Sequence, residues 1–300
     1  MQGSAFGLSR GTVGRMMFVR DDLPQSGWQA RLELEISRSG SASRITRRRH
    51  VGPSCVQRAF YPEGEDVAHV YVLHPPGGLV GGDRLQLDVS VSERGFALLT
   101  TPAAQKLYRS GGRTSRQHVK LTVRSGASLE WLPGENIVFQ GADGVLETEV
   151  EVEPGGAFAG WDIGCLGRPA AGEAFENGRL RSAFRLSRGG LPLLVERIEL
   201  RGGSSLLAEP WGLSGLPVFG NLYFVPRDDR DLGPLAALLR ERLTPGPGDR
   251  FAVTALASTL VARVLAPSAE RARALLVAAW ELARPELLGR RPVAPRVWAT

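Results

Sequence analysis

Apolar and polar residues alternate with a period of two along most of the first 225 positions. In RLELEIS (31–37) Leu32, Leu34 and Ile36 fall on one face and charged residues on the other, the pattern of a half-buried β-strand. The same period marks VAHVYVL (67–73), LQLDVSV (85–91), HVKLTV (118–123), VLETEVEV (145–152), RLRSAFRLS (179–187) and LLVERIEL (193–200). Turn-forming groups separate these runs: PPGG, RSGG, RSGA, GADG, EPGG and SRGG. So many strands with such short links predict a mostly β (α+β) fold, a large antiparallel multi-strand structure and not a series of βαβ units.

The period changes in the last third. DLGPLAALLRERL (231–243) and SAERARALLVAAWELAR (268–284) read as helices. In the second, Ser268 is placed to cap and Glu270 lies in the first turn, where the helix dipole favours a negative charge. Ala272, Leu275, Leu276, Ala279 and Leu282 then form an apolar stripe, and Pro285 is expected to end the helix. FAVTALASTLVARVL (251–265) mixes both signals and is read as strand. The shift near residue 225 has no low-complexity linker, so the expectation is one domain over 1–300, β-rich to about 225 and mixed helix and strand over 226–300.

Composition narrows the function classes. The 37 glycines in 300 residues exceed the usual share of about 7% and have no fixed period, which means many turns. Net charge is +6, but acids and bases are interspersed through most of the chain. Nucleic acid is therefore not expected as a partner, because it calls for a clustered basic footprint. Cys55 and Cys165 stand alone, without the spacing of a disulfide scaffold or zinc site. MQGSAFGLSRGTVGRMMFVR (1–20) lacks the apolar core of a signal peptide, and no apolar run is long enough to span a membrane. A cytoplasmic protein is the expectation.

Enzyme signatures are missing. GGLVGGD (77–83) matches neither dinucleotide nor phosphate-loop patterns, and the alternation LQLDVSV follows it where such a loop needs a helix. HExxH and GxSxG do not occur. The anomaly lies in the phase of certain carboxylates. Glu196 shares a face with Leu194, Ile198 and Leu200; Asp83 is in phase with Leu85, Leu87 and Val89; Asp162 is in phase with Phe158 and Gly160. Glu135 follows LEWLPG at a turn, and Glu130 precedes Trp131. A buried carboxylate is costly unless it is paired or coordinated. One reading is salt bridges to the plentiful arginines. The other is an internal polar path, since oxygen ligands suit a cation that is held briefly, whereas thiolates hold borderline metals tightly. Trp298, two residues from the end, suggests that the tail docks on this chain or on a partner.

Several long motifs in order carry a resemblance: GPSCVQRAFYPEG (52–64), HVYVLHPPGGLVGGDRL (69–85), TTPAAQKLYRS (100–110), LEWLPGENIVFQGA (129–142) and WDIGCLGRPAAGEAFENG (161–178). LLVER (193–197), LVAR (260–263), RPELLGR (284–290) and PRVWAT (295–300) continue it. With these the chain closely resembles the urease accessory proteins of the D type, called the H type in some bacteria. The resemblance implies a non-catalytic chaperone for nickel insertion into urease, mostly β. It implies binding to the F-type accessory protein, through it to the G-type GTPase, and to the urease apoprotein. It implies no tightly bound cofactor and transient Ni²⁺ passing an acidic internal tunnel, whose lining would fall on Asp83, Asp162 and Glu196, with Glu135 as a further position. His69 and His74 are candidate contacts, and for His74 a hydrogen bond in the turn is the favoured role. The alternative is an assembly scaffold with no conduit. The chain departs from the family pattern at Gly134 and Asn136, which flank Glu135, and at Gln105.

Overall fold

The computed structural model describes residues 27–92 and 94–299; the N-terminal stretch 1–20 and the last residue of PRVWAT lie outside them. The chain begins with a hairpin of β1 (Gln29–Ser39) and β2 (Ala42–Val51), followed by β3 (Cys55–Val56), β4 (Val67–Leu73) and β5 (Gly78–Leu79). Then come β6 (Arg84–Ser92), β7 (Phe96–Thr100), β8 (Gln105–Leu107), β9 (Ser115–Val123), β10 (Ser128–Trp131), β11 (Asn136–Val138), β12 (Asp143–Val152), β13 (Ala157–Leu166), β14 (Arg179–Arg188) and β15 (Leu191–Arg201). A short α1 (Ser205–Ala208) leads to β16 (Val218–Val225), α2 (Gly233–Arg242), β17 (Arg250–Leu256), β18 (Thr259–Ala266) and α3 (Ala269–Leu288).

The strands form two sheets. One runs β15-β14-β12-β9-β6-β1-β2. The other runs β17-β18-β16-β13-β10-β7-β4-β3, with β5, β8 and β11 as a short satellite group beside β13. The β majority matches the sequence reading, but strand direction does not. The centre of each sheet is parallel: β1, β6, β9, β12 and β14 in one, β4, β7, β10 and β13 in the other. Antiparallel pairs are confined to the flanks, as in β1–β2, β14–β15, β13–β16 and β16–β18–β17. The reason lies in the tight turns. RSGA carries the chain from β9 to β10, and EPGG from β12 to β13, so each turn crosses from one sheet to the other. Parallel neighbours require a crossover connection; here a strand of the opposite sheet supplies it. Only SRGG makes the hairpin expected of such a turn, with Gly189 and Gly190 both at positive φ between β14 and β15.

Burial follows from the layers. On β1, Leu32, Leu34 and Ile36 face the second sheet and are buried, while the other face carries charge. β4, β7, β10 and β13 are buried on both sides, because a second core lies between their sheet and the helices. Helix α3 packs against β13, β16 and β18. Ser268 caps it, accepting a hydrogen bond from Arg271 N at 3.3 Å, and Glu270 sits in its first turn. Ala272, Leu276 and Ala279 face the core as the stripe predicts, but Leu282 is exposed, and Trp280, Ala283 and Leu287 continue the buried face. The helix also runs through Pro285 to Leu288 and ends at Gly289, φ 67°. The carbonyl that Pro285 leaves without an amide belongs to exposed Glu281, within reach of water. Segment 251–265 is two strands, broken at Ala257 with φ 47°.

Arg284 of α3 is fully buried and joins the helix to the sheet through two acids. Its guanidinium donates to Glu130 at 2.7–3.1 Å and to Glu63 at 2.8 Å, and also to the carbonyl of Arg291. Trp280 Nε1 donates to Glu130 at 2.7 Å, and His69 Nε2 lies 2.7 Å from Glu63. Burial pushes the Glu130 carboxyl above its usual range, and Arg284 acts against that push. The tail docks on its own chain. Trp298 packs on Trp161 and Trp280, with ring centres 5.3 and 5.7 Å away, and donates from Nε1 to Thr100 Oγ1 at 3.0 Å.

Candidate functional site

The four acids singled out by the sequence have different surroundings. Asp83 closes the loop after β5. Gly81 packs so tightly there that a Cβ would stand 2.1 Å from the Ser110 carbonyl, and Gly82 takes φ 99°. These glycines turn the chain so that both Asp83 oxygens accept backbone N–H groups, from Trp28 at 2.8 Å and from Val80 at 2.9 Å. Glu135 pairs with Arg273 of α3 at 3.5 Å. Glu196 of β15 accepts a hydrogen bond from Tyr223 Oη at 2.7 Å and pairs with Arg263 of β18. Each of these three has its charge answered.

Asp162 of β13 is different. Its Oδ1 has neither solvent contact nor a hydrogen-bond donor. The residue stands in a wall, with Ser182, Phe184 and Phe219, that lines two spaces between the sheets: a cavity of about 130 Å³ and a wider groove of about 780 Å³. Trp131, His74 and Gln86 line the first; Glu196, Tyr223 and Arg263 line the second. Asp162 and Glu196 therefore share the groove, whereas Asp83 and Glu135 line neither space, although Gly134 and Asn136 on either side of Glu135 line the cavity. Burial, with a smaller contribution from Glu196, pushes the Asp162 carboxyl up to about 7; Asn221 acts in the opposite direction.

That shift has a stability consequence. Between about pH 4 and pH 7 the folded chain keeps a proton on Asp162 that the unfolded chain releases, so stability falls as pH rises through this window and levels off above it. Asp162→Asn is free of the effect. It is expected to melt above the wild type at pH 8 and level with it at pH 4, the pH 8 gain being at most roughly 4 kcal/mol at about 1.36 kcal/mol per pKa unit. Thermal melts at the two pH values check this.

The histidines sit in structural settings. His69 belongs to the Arg284 cluster. His74 lies between Ser54 Oγ at 3.2 Å and the Gly78 carbonyl at 3.3 Å, so Nε2–H donates to the carbonyl and Nδ1 accepts from the serine. Burial pulls its pKa down. The Cys165 thiol is buried and pushed up to about 11, chiefly by that burial, which leaves it a poor metal ligand at neutral pH. Among the described residues no group of three or more His, Cys, Asp or Glu side chains is placed to hold a metal ion. No helix of the described residues is long and apolar enough to cross a membrane.

Three residues of the site escaped sequence reading: Asn221, Tyr223 and Arg263. Asp162, Asn221 and Arg263 are register partners across β13, β16 and β18, so they form one polar row. A polar residue inside the apolar runs VFGNLYFV and LVARVLA was the available signal.

Comparison with known proteins agrees with the motifs. The profile of the family described as UreD urease accessory protein matches residues 29–299. The urease accessory protein UreD of Dechloromonas aromatica (strain RCB) is 42% identical over 274 residues, covering 91% of this chain and 95% of that protein. Those of Azoarcus sp. (strain BH72) and Pseudomonas fluorescens (strain Pf-5) are 43% and 44% identical, covering 92% and 91% of this chain and 95% of each relative. With the family's profile spanning nearly all of the described residues, this chain belongs to the UreD urease accessory protein family.

Proposed function

We propose that this chain serves urease maturation as a non-catalytic chaperone, bridging the F-type and G-type accessory proteins to the urease apoprotein and passing Ni²⁺ between its two sheets. The observation that carries the conduit is Asp162, with one uncommitted oxygen in a wall common to two internal spaces. A transit site must admit the ion and then release it, and a carboxylate with one uncommitted oxygen does both better than a closed ligand set. Glu196 offers a second oxygen donor in the same groove. Asp83 and Glu135 act at one remove, shaping the loop that ends at β6 and the turn after β10.

The second reading, a scaffold for assembly without a conduit, draws support from the closed partnerships of Asp83, Glu135 and Glu196. One experiment separates the two. Alanine at Asp162 and Glu196 together is expected to leave the accessory complex recoverable by co-purification while urease matured with it lacks nickel. Fully nickel-loaded urease from that variant would leave the scaffold reading standing.

A further inference from the structure

The polar row that carries Asp162 ends in a fixed positive charge. Asp162, Asn221 and Arg263 lie side by side across three strands, and Glu196 meets the row from the opposite sheet. One Glu196 oxygen is held by Tyr223, the other by Arg263. The two contacts differ in strength. Tyr223 is buried and stacked on Phe184, ring centres 4.0 Å apart, so it keeps Glu196 in position. Arg263 is 44% exposed and its partner 24%, and an ion pair so open to water is weak. The guanidinium therefore occupies the place on Glu196 that an incoming cation would take, and it can leave.

We propose that Arg263 is a specificity-determining counter-ion: it holds Glu196 when the groove is empty and yields only to a cation of more than one positive charge. This rests on the conduit reading above. A monovalent ion offers Glu196 no more charge than Arg263 does and lacks its hydrogen bonds, so the ion pair stays closed. A divalent ion engages Glu196 and Asp162 together, and Coulomb attraction grows with the product of the charges. The displaced guanidinium stays tethered to β18 and, with Arg250 on the same groove, repels the ion, which prevents tight capture. Tyr223 is a positioning residue in this scheme, since it acts through Glu196.

Equilibrium dialysis of the purified full chain against radioactive Ni²⁺ tests the proposal. Removing one fixed positive charge beside two carboxylates is expected to tighten binding by Arg263→Met about tenfold. Arg263→Lys keeps the charge and is expected within about twofold of the wild type by the same reasoning. Adding Asp162→Asn to Arg263→Met returns the affinity toward the wild type. Arg263→Gln, which retains a donor for Glu196, gives the same readout should the methionine variant be insoluble. Unchanged or weaker Ni²⁺ binding by both neutral variants overturns the proposal, as does a lysine variant that behaves like them. The conduit fails separately: Asp162→Asn that still delivers nickel to urease, with tighter binding by Arg263→Met, leaves Arg263 guarding a static cation site. Lost delivery by Asp162→Asn with unchanged binding by Arg263→Met leaves the conduit and removes the counter-ion.

Discussion

Arg284→Met is expected to destabilise the chain by about 3–5 kcal/mol, the usual cost of removing one partner from a buried ion pair. The guanidinium answers Glu130 and Glu63 at once, and neither acid has water to turn to: Glu130 is fully buried and the Glu63 side chain is 4% exposed. Methionine fills much of the volume and leaves two carboxylates facing each other in a dry site. Trp280 and His69 still donate, but they carry no fixed charge. Chemical denaturation gives the magnitude. The same measurement on Arg284→Met combined with Glu130→Gln and Glu63→Gln is expected to recover a large part of the loss, because the penalty comes from stranded charge and not from packing. A triple variant as unstable as the single one would assign the loss to the α3 contact itself.

Asp162→Asn is expected to lower the nickel content of urease matured in its presence by tenfold or more. Substituting groups that merely support a metal ligand already costs about 10–100-fold in affinity or activity, and on the proposed conduit Asp162, which lines both internal spaces, is itself a ligand. Asparagine keeps the shape and one acceptor and removes the charge. The complex with accessory proteins is expected to remain intact, since the side chain lines spaces between the sheets. Asp83→Asn, by contrast, is expected to change stability before delivery, for its oxygens serve backbone amides and line neither space. Metal analysis of purified urease, set beside co-purification yields, distinguishes the two variants.

Much of this was legible in the residues, and the failures have physical causes. Leu32, Leu34 and Ile36 were readable because the outer face of β1 meets water. β4 carries the same period in sequence yet is buried on both faces, because a second core lies on the far side of its sheet. Strand direction was not legible: a four-residue Gly-rich turn has the same composition whether it folds a hairpin or steps to the facing sheet. Pro285 misled as well: it stands on the exposed face of α3, and the helix runs on to Leu288. Phase identified Asp83, Asp162 and Glu196 as inward acids, because a carboxylate interrupting an apolar run is a local signal. What answers each charge is not local. Arg284 lies 154 positions from Glu130, and the row joining Asp162, Asn221 and Arg263 exists only through cross-strand register.

The shuttling of the chain between sheets has a consequence for how the protein is made. Each circuit adds one strand to either sheet and rests only on the circuit before it, as stacked repeats do. The parallel centre can therefore wind up in order behind the ribosome, from β4 and β6 to β13 and β14. Until β15 and the β16–β18 group reverse direction, the growing end presents two open strand edges, the form most prone to stray pairing. Those antiparallel turnbacks act as end caps, and the window before they arrive is when a nascent chain of this kind most needs a partner or a holdase.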